Sequence, residues 1–142
     1  MKIRLFLILS ILLVFFSCGN NKLTEKVVNT FDNGQPAKVY YYNQSDQLVA
    51  GKEYYENGFI KMEGSFANDV REGDWIAYFP DGKVQSTGTY KDGLRTGKAR
   101  VYYENGHLWM DGYYTDDHKC GEWVFYDEQG YEIERINYGS CD

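Results

Sequence analysis

Residues 54–77 read YYENGFIKMEGSFANDVREGDWIA, and YFPDGKVQSTGTYKDGLRTGKARV (78–101) and YYENGHLWMDGYYTDDHKCGEWVF (102–125) follow without a gap. Stacked on one another, the three segments repeat every 24 residues. Gly34, Gly58, Gly82, Gly106 and Gly130 fall on this lattice, as do Gly64, Gly88 and Gly112, then Gly73, Gly97 and Gly121. Tyr54, Tyr78, Tyr102 and Tyr126 follow the same spacing. A fixed period of this length marks an array in which each unit is one supersecondary motif buried against its neighbours. The 15 glycines and 2 prolines suit many tight turns between strands.

The glycines of the first set follow Asn33, Asn57, Asp81, Asn105 and Gln129. Asn-Gly and Asp-Gly favour two-residue type I′ turns, so a hairpin is expected at each. Counting outward from Asp81-Gly82 sets Phe79 opposite Val84, Ala77 opposite Ser86 and Trp75 opposite Gly88. From Asn105-Gly106 it sets Tyr103 opposite Leu108, Val101 opposite Met110 and Ala99 opposite Gly112. These pairs share an apolar face, which Ile60, Met62, Phe66, Trp123 and Phe125 extend. Gly88 would leave room for the Trp75 ring, so Gly88→Val is expected to crowd that ring. Lys61, Glu63, Asp74, Gln85, Lys98, Arg100 and Glu122 fall on the other, solvated face. ANDVRE, YKDGLRTG and TDDHKCG read as wider polar connections. The expected fold is all-β: an antiparallel meander of about nine strands in one elongated sheet, built of hairpin repeats of about 24 residues.

The chain of 142 residues, 43% of them hydrophobic, is sized for one domain. Repeat units are expected to start near residues 30, 54, 78, 102 and 126 and to fill 30–138, with 139–142 as a tail. A net charge of −6 disfavours nucleic acid as a partner, because phosphates would be repelled. Ahead of the array, Lys2 and Arg4 precede the apolar run Leu5 to Phe16, which is too short to span a bilayer and fits the core of an export signal, a helical segment over 1–17. The run ends at Ser17-Cys18, which resembles the lipobox of bacterial lipoproteins, with Phe15 and Phe16 where that pattern has aliphatic and small residues. The resemblance implies that Cys18 is the lipidated first residue of the mature protein. It also implies a membrane-anchored lipoprotein of the bacterial envelope, with the outer membrane favoured over the inner. Residues 18–29 would then be the lipidated cysteine and a polar tether. Cys120 and Cys141 remain as a pair in a potentially oxidising compartment, as a disulfide or as two free thiols.

The recurring YYENG, the MEGSF and TGTYKDG segments, and EGDWIAYF and GEWVFY resemble MORN-repeat variants over about residues 30–138. The resemblance implies one β-hairpin per unit. The first unit lacks the second and third glycines, and Ala99 stands where a Trp is expected. Proteins similar to these are often described as antitoxin components, which implies neutralising a partner toxin by contact. MORN-type repeats are also associated with membrane apposition and scaffolding, which implies binding and not chemistry.

Chemistry has little to rest on. Asp116, Asp117, His118 and Cys120 share one loop, but one loop with two soft ligands is a weak metal signal. No serine-nucleophile elbow or phosphate-binding loop is present, and the carboxylates Glu104, Asp111 and Glu122 belong to an open sheet. No catalytic residue, metal site or cofactor is therefore assigned, and an enzyme is not expected. The candidate binding surface is the tyrosine row, Tyr54, Tyr78, Tyr102 and Tyr126, which the same counting sets opposite Lys61, Gln85, Trp109 and Ile133. Such rings either form a platform for an unidentified protein or glycan or pack on one another and shield the sheet. Trp109 has no aromatic counterpart in the other units and is the leading single contact residue.

Overall fold

Period-two alternation punctuated by glycine turns gives a sheet with no second layer among the described residues. The computed structural model describes residues 22–142. Ten strands follow in chain order: β1 Thr24–Thr30, β2 Pro36–Tyr42, β3 Leu48–Tyr54, β4 Ile60–Ala67, β5 Val70–Tyr78, β6 Val84–Lys91, β7 Leu94–Tyr102, β8 Leu108–Thr115, β9 His118–Tyr126 and β10 Glu132–Asn137. Each pairs antiparallel with the next, so the sheet order is the chain order. There is no helix among the described residues. The signal segment 1–17 and Cys18 lie outside them.

One expectation about the start of the array changes. The sheet has ten strands instead of about nine, because all of β1 but Thr30 lies within residues 18–29, expected as a tether. The turn Phe31–Gln35 needs a strand on each side, and Thr24 to Thr30 supplies the outer one, with Val27 opposite Val39. The first unit also carries a turn of its own at Asn43–Gln47, where Asp46 takes φ +58° in the glycine position.

The turn types are the reverse of those expected. At Phe79–Lys83 the Phe79 carbonyl accepts from Gly82 N–H and the Lys83 carbonyl accepts from Phe79 N–H. Gly82 has φ +86°, whereas Asp81 is not left-handed. This is a three-residue loop closed by a glycine bulge. The two-residue turns are Asn68-Asp69, Asp92-Gly93 and Asp116-Asp117, where both residues have positive φ and the flanking residues pair directly, as in Ala67↔Val70. The extra residue at Gly82 shifts the register beside the turn: Tyr78, not Phe79, faces Val84, whereas Ala77↔Ser86 and Trp75↔Gly88 pair as counted. By the same shift Tyr102, not Tyr103, faces Leu108.

A sheet without a second layer has a thin core. Only Val39, Leu48, Trp75, Cys120, Trp123 and Val124 are buried apolar residues among those described. Trp75 and Trp123 are 7% and 1% exposed because each indole lies flat over a glycine of the preceding strand, Gly64 and Gly112, where a Cβ would collide with the ring. Gly73 permits this with φ +69°, in a bulge where pairing jumps from Gly64↔Trp75 to Ser65↔Glu72. The Trp75 Nε1–H then donates to the Ser65 carbonyl at 3.1 Å, and the Trp123 Nε1–H donates to the Tyr113 carbonyl at 3.0 Å. The expected crowding at Gly88 is therefore misplaced: a Cβ there meets no atom of the described residues within 4 Å. At the far end a Cys120–Cys141 disulfide, with Cα atoms 5.0 Å apart, holds the tail against β9, where Gly121 N–H also donates to the Gly139 carbonyl at 2.6 Å.

Gly64→Val should lower unfolding stability by about 3 kcal/mol, read from urea midpoints, while Gly88→Ala should change it by no more than about 0.5 kcal/mol. Reduction, or Cys141→Ser, should cost about 3 kcal/mol for a closed loop of this size, measured in the same way under non-reducing and reducing conditions.

Candidate binding surface

The tyrosine row lies on the face opposite the two buried indoles and next to charged pairs. Its cross-strand partners are Ile60, Val84, Leu108 and Glu132, one residue earlier than counted from the sequence, because each intervening turn holds three residues. All four tyrosines are half-buried. Tyr78 Oη donates to Glu63 Oε1 at 2.8 Å, and Lys52 Nζ lies 2.9 Å from Glu63 Oε2. Burial pushes the Glu63 carboxyl up, but the hydrogen bonds from Lys52 and Tyr78 and the Lys52 charge outweigh it, so the net shift is below the usual carboxylate value. Burial, and then the bond to Glu63, raise Tyr78. Burial, followed by its hydrogen bond with Tyr54, pushes Tyr41 up to about 12.

The row is thus partly committed within the sheet. Tyr78 is bound to Glu63, and Tyr54 lies close enough to Tyr41 to raise its pKa, in keeping with shielding of the backbone at this end. The turns beside the row are laced unit to unit. Tyr55 Oη donates to the Tyr78 carbonyl at 2.8 Å, and Tyr103 Oη to the Tyr126 carbonyl at 2.9 Å. Asn57 and Asn105 donate through Nδ2 to the Pro80 and Glu128 carbonyls, each at 2.9 Å, while their Oδ1 atoms accept from Phe59 and His107 N–H. Asparagine before the turn glycine therefore both closes its own turn and holds the next one. Trp109 stands apart at 42% exposed, with its ring centroid 6.1 Å from that of Tyr103. Near the opposite turns, His118 Nδ1 lies 2.8 Å from the Asp116 carbonyl, and the Cys120 sulfur is held in the disulfide.

The opposite face carries a feature that residue-by-residue reading of the sequence passed over. Tyr40, Phe66, Trp75 and Tyr90 meet edge to face with centroids 5.5, 5.2 and 6.0 Å apart, and Tyr114, Trp123 and Tyr138 do so at 5.0 and 6.4 Å. A cation lies over each series. The Arg71 guanidinium is 4.1 Å from the Trp75 ring, that of Arg95 is 4.3 Å from the Tyr114 ring, and Lys119 Nζ is 4.4 Å from the Trp123 ring. The signal was in the 24-residue lattice: Phe66, Tyr90, Tyr114 and Tyr138 share one position, and Arg71, Arg95 and Lys119 share another. The alternation places Phe66 on the apolar face, whereas Arg71, Tyr90, Arg95 and Lys119 fall in segments that read as polar connections.

Three stretches, residues 50–68, 71–92 and 95–116, match the family model described as MORN repeat variant. Each match ends close to a two-residue turn and covers one hairpin of the array, which supports the MORN-repeat family for these units. No curated protein matches the chain.

Because the Glu63 carboxylate is favoured by folding, its contribution is complete above the unfolded value near 4.5 and is lost as pH falls through the lower folded value. The stability difference between the wild type and Glu63→Gln, measured by urea denaturation from pH 7 to pH 3, should shrink across that window. A difference that grows on acidification would contradict this assignment.

Proposed function

We propose that the protein is a non-enzymatic lipoprotein of the bacterial envelope whose repeat sheet binds a protein or a glycan and scaffolds it near the membrane. The observation that carries this reading is the single layer. With ten strands and six buried apolar residues among those described, both faces and the outer edges of β1 and β10 remain available to a partner. Exposed Trp109, Tyr131 and Ile133 add apolar area toward the C-terminal half, at 42%, 72% and 63% exposure. MORN repeats act widely as binding and scaffolding modules, which agrees with this role. The anchor rests on Lys2, Arg4, the apolar run and Cys18. A single acyl chain holds a protein only reversibly, so the several chains of a lipoprotein cysteine suit durable attachment.

Two measurements test the proposal. Cys18→Ser should move the protein from the membrane fraction to the soluble fraction on cell fractionation, and retention in the membrane would contradict the anchor. Mild crosslinking of the intact protein in its native membrane, followed by mass spectrometry, should recover a defined partner that Trp109→Ala captures less well. Undiminished capture by a folded Trp109→Ala variant would remove Trp109 from the contact surface.

A further inference from the structure

The aromatic series on the apolar face is interrupted at one place. It runs from Tyr40 to Tyr90, breaks, and resumes from Tyr114 to Tyr138. The break falls at Ala99, which holds the lattice position of Trp75 and Trp123. Gly88 beneath it corresponds to Gly64 and Gly112, the glycines covered by those two indoles. No side chain among the described residues covers Gly88, and a depression of about 260 Å³ opens there, lined by Gly88, Tyr90, Ala99, Tyr114, Arg71 and Arg95 among others. That volume suits one ring system and is small for a drug-sized ligand.

We propose that this depression is a binding slot for the tryptophan side chain of a partner polypeptide that carries an acidic residue beside it. The inference rests on the binding role proposed above and assigns that role a site. The two intact units show what such a ring would meet. Its face would lie on Gly88 as Trp75 lies on Gly64, and its edges would meet Tyr90 and Tyr114. The carbonyl in the place of those of Ser65 and Tyr113 is that of Thr89, beside the same bulge, where pairing jumps from Thr87↔Arg100 to Thr89↔Thr96. It is placed to accept the indole N–H.

Arg95 supplies the cation. In the preceding unit the Arg71 guanidinium lies over both Trp75 and Tyr90, at 4.1 and 5.2 Å, whereas Arg95 has Tyr114 on one side and, with Ala at 99, no indole. Arg95 is held in position by Asp117 at 2.7 Å and by its bond to Tyr114 Oη at 3.2 Å, so the site is arranged before a ring arrives. Arg71 supplies the charge preference. It forms no ion pair among the described residues and gives its hydrogen bonds to Tyr90 Oη and Met62 Sδ, so a carboxylate next to the incoming ring finds an uncompensated guanidinium at the slot.

The test is a titration of the isotope-labelled full-length protein in detergent micelles with a capped six-residue peptide containing a central tryptophan–glutamate pair, followed by NMR. Saturable shifts centred on Gly88, Thr89 and Ala99 are expected, with a Kd on the order of a millimolar, as befits one buried ring. Replacing the peptide tryptophan by alanine should abolish them, and replacing its glutamate by lysine should weaken binding at least fivefold. Ala99→Trp, which restores the missing indole, should eliminate binding. Gly88→Leu, which fills the slot from its floor, should do the same if Ala99→Trp fails to fold. Absence of shifts at the slot, or undiminished binding by either folded variant, would overturn the proposal. Equal affinity for N-acetyltryptophanamide would assign the slot to free indoles and overturn the polypeptide claim. The two proposals fail separately. A partner crosslinked in the envelope that is captured equally by Ala99→Trp leaves the scaffold role standing and removes the slot. A saturable slot with no crosslinked partner does the opposite.

Discussion

The structure depends on an indole lying flat on a glycine of the neighbouring strand. In a one-layer sheet there is no opposing layer to bury a large side chain, so the ring has to be buried against backbone. Trp75 over Gly64 and Trp123 over Gly112 achieve this, and the bulges at Gly73 and Gly121 bring each N–H to a carbonyl that accepts it. Three lattice positions are thereby tied together: the indole, the glycine it covers and the glycine whose positive φ turns it. Without the covered glycine the ring could not close on the sheet. Without the bulge its N–H would lack the carbonyl that satisfies it.

The remaining cohesion is local, from strand to strand and from unit to unit. Asn57 and Asn105 bridge one turn to the next, and the hydroxyls of Tyr55 and Tyr103 reach backbone carbonyls one unit on. Across the strands, Lys38–Glu53, Lys52–Glu63 and Lys98–Asp111 pair at 2.9 to 3.0 Å. Such an array has stability close to a sum of units and their interfaces. A single departure such as Ala99 can then persist as a local gap without undoing its neighbours. The ends differ from the middle for the same reason: β1 is exposed throughout, and the last strand is supplemented by the disulfide and by the Arg135 contacts to Glu122 and Glu132.

Much of this architecture was legible in the sequence. The period, the order of the strands, the two faces and the pairing of Ala77 with Ser86 and Ala99 with Gly112 follow from the lattice and from period-two alternation. The turns were misread because a glycine with positive φ after Asn or Asp serves a type I′ turn and a glycine bulge equally, and the two differ only in the residue before the glycine. That single residue moved the partner of Tyr78 from Gln85 to Val84 and the partner of Tyr102 from Trp109 to Leu108. The direction of the Trp75 ring was also hidden. Gly64 and Gly88 both face it across the strands, and only the bulge at Gly73 decides that it covers Gly64. The tyrosine row follows from its spacing, but the bond from Tyr78 to Glu63 depends on side-chain reach that spacing does not encode.

The most direct measurement of the central interaction is hydrogen exchange at the three indole N–H groups, followed by NMR. The Trp75 and Trp123 indole protons, each bound to a carbonyl on a covered glycine strand, should exchange slowly, and that of exposed Trp109 should exchange rapidly. Rapid exchange at all three would show that the indoles are not held against the sheet, and would contradict the account.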